Sequence, residues 1–65
     1  MSTADDLQRA RALAVEVLGT TEAATAWLRT PQSALGEITP TAAIEAGRID
    51  DVLNVLNAVG DGGYL

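Results

Sequence analysis

Apolar residues recur at helical spacing through the first part of the chain. The repeat predicts a helix over residues 4–18 with one apolar face. That face consists of Leu7, Ala10, Ala14, Val17 and Leu18. Ser2 or Thr3 can cap the start of this helix. Gly19 follows it and supplies the left-handed residue that commonly ends a helix.

A second helix is predicted to begin at Thr20 or Thr21, since either hydroxyl can act as its N-cap. It must end before Pro31, because proline disfavours helical geometry in the residue that precedes it. Its apolar side is formed by Ala23, Ala24, Trp27 and Leu28. Residues 31–38 are then expected to form a loop with Leu35 as its large apolar anchor.

Two further helices follow. Thr39 and Pro40 form a strong start signal, with the threonine as N-cap and the proline at the first helical position. This short third helix is predicted over residues 40–46, and Gly47 closes it. The fourth has the clearest period, with a stripe of Ile49, Val52, Leu53, Leu56 and Val59 that Val55 widens at its edge. Residues 60–65 are expected to be a flexible tail.

These elements predict an all-α fold, a compact bundle of three to four short helices in a single domain over residues 1–65. A 65-residue chain buries only about 60% of the surface that its unfolded form exposes, so its core is marginal. The predicted core residues are Leu18, Trp27, Leu28, Leu35, Ile49, Val52, Leu53 and Leu56. Trp27 is expected to be the largest side chain of that core.

Composition argues against catalysis and against metal or cofactor chemistry. The chain contains neither cysteine nor histidine, which removes disulfides, the commonest zinc ligand and the usual general base near neutral pH. The adjacent carboxylates Asp50 and Asp51 diverge on a helix and suit its N-terminal dipole better than a metal ion. We therefore expect no catalytic residue, no metal site and no cofactor.

The negative net charge of the chain limits the kinds of partner that it can bind. The net charge is −5, and four arginines carry all the positive side-chain charge. Such a chain is poorly suited to neutralising phosphates, so we expect no nucleic-acid binding by this domain alone. No apolar run approaches the ~20 residues that span a bilayer, and the N-terminus does not resemble a secretory signal. A cytoplasmic protein without membrane contact is expected.

An ordered set of motifs resembles a known family. It comprises Leu18-Gly19, Trp27-Leu28 before Pro31, Leu35-Gly36, Pro40, Gly47, Val52-Leu53 with Leu56, and Gly62 with Tyr64. This order resembles the toxin-binding domain of the MbcA/ParS/Xre antitoxins. Gln32, Ala43-Ile44 and Gly63 depart from the common pattern of that family. The helix-turn-helix DNA-binding part that such antitoxins usually carry is not expected in this chain, so repressor function does not transfer.

The resemblance implies an antitoxin that binds a cognate toxin of the RES or ADP-ribosyltransferase-like type, which uses NAD. It further implies that the C-terminal end covers the NAD pocket of that toxin. By the resemblance these contacts fall to Gly62, Tyr64 and Leu65. The carboxylate of Asp61 is predicted to add a contact with cationic groups that hold the NAD phosphates, and Val55 and Val59 are candidates for a helical partner surface. A stand-alone homo-oligomeric interaction domain, associating through Val52, Val55 and Val59, is the alternative. A small DNA-binding regulator is a third hypothesis, which the negative charge disfavours.

Overall fold

The computed structural model describes residues 2–60 and contains four α-helices in that range. They are α1 (Thr3–Leu18), α2 (Thr21–Leu28), α3 (Pro40–Glu45) and α4 (Ile49–Gly60). A 3₁₀ turn, Ser33–Leu35, lies between α2 and α3. Over residues 2–60 there is no strand, and Gln32 and Ile38 form one isolated antiparallel bridge. The predicted all-α class is confirmed.

Three helices begin with a side-chain cap of the kind that the sequence predicts. In each case a hydroxyl oxygen accepts a hydrogen bond from a backbone N–H of the first turn, which has no partner within the helix. The bonds run from Asp5 N to Ser2 Oγ (3.2 Å), from Ala23 N to Thr20 Oγ1 (3.0 Å) and from Ala42 N to Thr39 Oγ1 (3.1 Å). Of the alternatives that the sequence left open, Ser2 and Thr20 are the capping residues.

Helix α1 packs against all three other helices, most extensively against α4 and α2. Ala10 and Ala14 on its inner face are completely buried, so neighbouring helices can approach closely. Asp6 lies on the buried side one turn earlier, and its Oδ1 has no hydrogen-bond partner within residues 2–60. Arg9 Nη1 lies 4.0 Å from that oxygen.

The core differs in part from the one expected from sequence. Five of the predicted core residues are buried: Leu28, Leu35, Ile49, Val52 and Leu56. Leu18, Trp27 and Leu53 are only half-buried and pack against the core from its edge. The close approach of helices through small side chains leaves little room for an indole ring between them. Trp27 is therefore a rim residue, not the central side chain that the sequence suggested.

Helix α3 contributes two large buried residues that the sequence analysis missed, Pro40 and Ile44. It is tied to the end of α2 by a hydrogen bond from Thr41 Oγ1 to the carbonyl oxygen of Leu28, 2.9 Å long. That bond satisfies one of the carbonyl groups that every helix leaves unpaired at its C-terminus. Short α3 thus fixes the relative placement of α2 and the core.

Candidate protein-binding surface

An apolar groove of about 510 Å³ lies between the 3₁₀ turn and the C-terminal half of α4. One wall is formed by Gln32, Ser33 and Ala34, and the other by Asn54, Val55, Ala58 and Val59. None of these lining residues carries a charge. We call this feature the α4 groove.

The wide stripe of α4 explains how one helix serves both the core and this groove. Ile49, Val52 and Leu56 face inward and are buried. Val55 and Val59 lie beside that stripe and are half-buried, with part of each side chain open to the groove. Val52 is fully buried, so it cannot contribute to an outer surface, contrary to the self-association hypothesis as drawn from the sequence.

The opposite wall is held by backbone hydrogen bonds around the 3₁₀ turn. Gln32 N donates to Ile38 O, and Glu37 N donates to Gln32 O, each at 3.0 Å. Gly36 and Glu37 both adopt positive φ, +82° and +67°, which closes the loop. Leu35 is 1% exposed and anchors the loop in the core. The turn is therefore a fixed wall of the groove.

The end of α4 is fixed against the end of α1. A Cβ built on Gly60 would lie 3.2 Å from Val17 Cγ2, so glycine permits this close approach. The sequence placed Gly60 in the tail, and the structure corrects this, because Gly60 is the last residue of α4. The predicted contact residues of the tail, Asp61, Gly62, Tyr64 and Leu65, lie outside the described residues.

The charged pair nearest in sequence to the groove residues of α4 lies at the start of that helix and does not line the groove. Arg48 Nε donates to Asp51 Oδ2 at 3.0 Å at the start of α4, and its Nη1 donates to Leu35 O at 3.4 Å. Within residues 2–60 there is no group of three acidic, histidine or cysteine side chains suited to a metal ion. No helix in this range is long and apolar enough to cross a bilayer. The groove is thus equipped for apolar contact with another surface.

A small helical bundle with an uncharged apolar groove offers a surface suited to contact with another protein. The family model described as the antitoxin Xre/MbcA/ParS C-terminal toxin-binding domain matches residues 13–62. This match covers well over half of the chain, and the protein belongs to that family. The resemblance inferred from the ordered motifs is confirmed. Searches of curated proteins and of solved structures gave no match.

Family membership defines the role of the chain in outline. The chain is an antitoxin domain, and its partner is a toxin. The family consists of domains that bind toxins. The matched region starts within α1 and ends beyond α4, so it contains the whole α4 groove. The groove could not be recognised from sequence as a site, because Ala34 and Val55 meet only in the folded chain. The sequence predicts Val55 and Val59 as candidates for a helical partner surface, and both line the groove.

Proposed function

We propose that this protein neutralises a toxin that uses NAD, of the RES or ADP-ribosyltransferase-like type, by binding it directly. The observation that carries the proposal is the position of the α4 groove, whose helical wall runs to Gly60 and so leads into the last residues of the chain. A surface of the toxin that fills the groove would bring its active site within reach of residues 61–65. Groove and tail would then act as one binding site.

The tail has the chemistry needed to occupy a nucleotide site. Gly62 leaves the backbone free to follow a narrow cleft, and Tyr64 offers a ring with a hydrogen-bonding hydroxyl. The carboxylate of Asp61 would meet the cationic groups that otherwise hold the phosphates of NAD. Because NAD is a cytoplasmic substrate, such an antitoxin would act in the cytoplasm.

A matched pair of variants tests the groove. Ala58 lies in the groove and Ala12 lies on α1 away from it, and both are exposed helical alanines. We expect Ala58→Asp to abolish co-purification of an NAD-consuming toxin, because a charge would be buried in the apolar contact. Ala12→Asp should leave co-purification intact. Equal capture by both variants would rule out the groove as the contact surface.

A second pair separates binding from inhibition. A chain ending at Gly60 keeps the contact with Val17 and lacks only the tail. We expect this chain to capture the toxin through the groove yet to leave its NAD consumption uninhibited. Tyr64→Ala should likewise weaken inhibition of the toxin without preventing its capture. Full inhibition by the shortened chain would show that the tail does not cover the active site, while the antitoxin role would stand.

The alternative function is self-association through the same groove, which is apolar and partly open in the isolated chain. With Val52 buried, Val55 and Val59 are the residues left to form such a contact. Sedimentation velocity of the protein alone distinguishes the two proposals. A dimer that Ala58→Asp dissociates would favour self-association, whereas a monomer that becomes a complex on adding toxin favours neutralisation.

A further inference from the structure

A second cleft, of about 370 Å³, lies where α1, α2 and α3 meet. It shares no lining residue with the α4 groove, and none of its lining residues is acidic. Leu7 and Leu28 supply its apolar surface, and Arg11, Thr25, Arg29 and Thr41 supply polar groups. Its volume lies in the range of small-molecule sites, roughly 300–1,000 Å³.

The two arginines of this cleft differ from the other two in the chain. Within residues 2–60, neither Arg11 nor Arg29 has a carboxylate oxygen within 4.0 Å, and neither side chain donates a hydrogen bond. Arg9 and Arg48 each lie within 4.0 Å of an aspartate. In a chain with a net charge of −5, the two arginines that lie more than 4.0 Å from every described carboxylate therefore line the same cleft.

Arg11 lies on α1 and Arg29 directly follows α2; both side chains are exposed and line this cleft, so it offers two positive charges to an anion. Guanidinium is a planar fork that binds phosphate through paired hydrogen bonds, and a phosphate monoester or diphosphate carries the matching charge. Thr25 is half-buried, and its hydroxyl takes part in none of the side-chain hydrogen bonds found within residues 2–60, so it can serve as a further donor. We propose that this cleft binds the phosphate group of a small molecule, held by Arg11 and Arg29.

The site is separate from the toxin-binding function proposed above. Leu7 and Arg11 precede residue 13, where the match to the antitoxin family begins. One wall of the cleft is therefore built by a part of α1 that the family model does not include. The other wall comes from α2, within the matched region. Binding of a phosphate group in this cleft therefore does not depend on which toxin the protein binds.

Isothermal titration calorimetry of the whole chain with ADP and with pyrophosphate tests the proposal. We expect saturable binding, and we expect Arg11→Gln and Arg29→Gln each to weaken it by at least about tenfold, since each removes a charge-assisted hydrogen bond. Arg9→Gln is the matched control, because it removes the same charge from the same helix outside the cleft. The affinity of the Arg9→Gln variant for each ligand should stay within about twofold of that of the unaltered protein, because the charge of a solvent-screened side chain outside the cleft contributes little to binding.

The comparison between ligands identifies the source of the phosphate. Tighter binding of ADP than of pyrophosphate supports an organic phosphate whose apolar part contacts Leu7 and Leu28. Equal binding supports inorganic diphosphate. The proposal is overturned if neither ligand saturates the protein, if Arg9→Gln weakens binding as much as the cleft variants, or if succinate binds as tightly as pyrophosphate. Thermal unfolding of each variant verifies that all remain folded.

Discussion

At the scale of single residues, the position of Trp27 depends on the small side chains around it. Helical spacing places the indole on the inner side of α2, but the completely buried residues there include Ala24 and, on α1, Ala10 and Ala14. The space left between helices is set by all of these residues together. Spacing in the sequence shows which side of a helix faces inward, and it does not show how much room remains there.

We expect Leu56→Ala to lower the free energy of unfolding by ~3 kcal/mol and Trp27→Ala by less, ~2 kcal/mol, because the cost rises with the cavity left in the core. Leu56 is completely buried, whereas Trp27 is half-buried. Urea unfolding followed by circular dichroism measures both values. A larger loss for Trp27→Ala would mean that the indole fills the core after all.

Glu37 has a left-handed backbone, with φ +67°, in which a side chain is strained. We expect Glu37→Gly to stabilise the protein by about 1 kcal/mol, because glycine adopts this conformation without steric cost. Glu45→Gly is the matched control in α3, where loss of a helix former should cost about 1 kcal/mol. Thermal melts of both variants at equal concentration check the opposite signs, and destabilisation by both would refute the argument.

At the scale of elements, the start of each capped helix could be predicted because the signal is local. Thr20 and Thr39 act within three residues, and Pro40 fixes the first turn of α3. The contribution of α3 to the core could not be predicted, because no local signal marks it. A helix of six residues is too short for an apolar period, so nothing in the sequence distinguishes Ile44 as buried.

Removing a cap should cost more than removing an uninvolved hydroxyl. We expect Thr20→Ala and Thr39→Ala each to lower stability by about 1 kcal/mol, because a backbone N–H loses its acceptor. Thr3 is exposed at the start of α1 and is not the cap, so Thr3→Ala should change stability by less than about 0.5 kcal/mol. Equal effects at all three sites, measured by urea unfolding, would mean that the caps contribute nothing specific.

At the scale of the whole molecule, the two recessed surfaces join residues that are far apart in the chain. Ala34 and Val55 both line the α4 groove, and Arg11 and Arg29 both line the cleft. Neither pairing has a sequence signature, because each depends on how helices pack. The family resemblance could be found without them, since each of its motifs is a short stretch of neighbouring residues.

The negative charge of the whole chain gives a further test. We expect no binding to double-stranded DNA at low salt, because a net charge of −5 repels a polyanion even where two arginines converge. Fluorescence anisotropy of a labelled duplex provides the measurement. Binding that weakens steeply with added salt would reverse this expectation and would revive the hypothesis of a DNA-binding regulator.

The contact between Gly60 and Val17 also decides how the protein should be handled on a surface. Ser2 caps the opposite end of α1, and fifteen residues of helix separate it from Val17 by about 22 Å. A biosensor chip or fluorescent label coupled through the N-terminus is therefore held a helix length from the end of α4. Coupling at the end of α4 would instead place the linker beside the α4 groove, where it would slow the measured association of a partner.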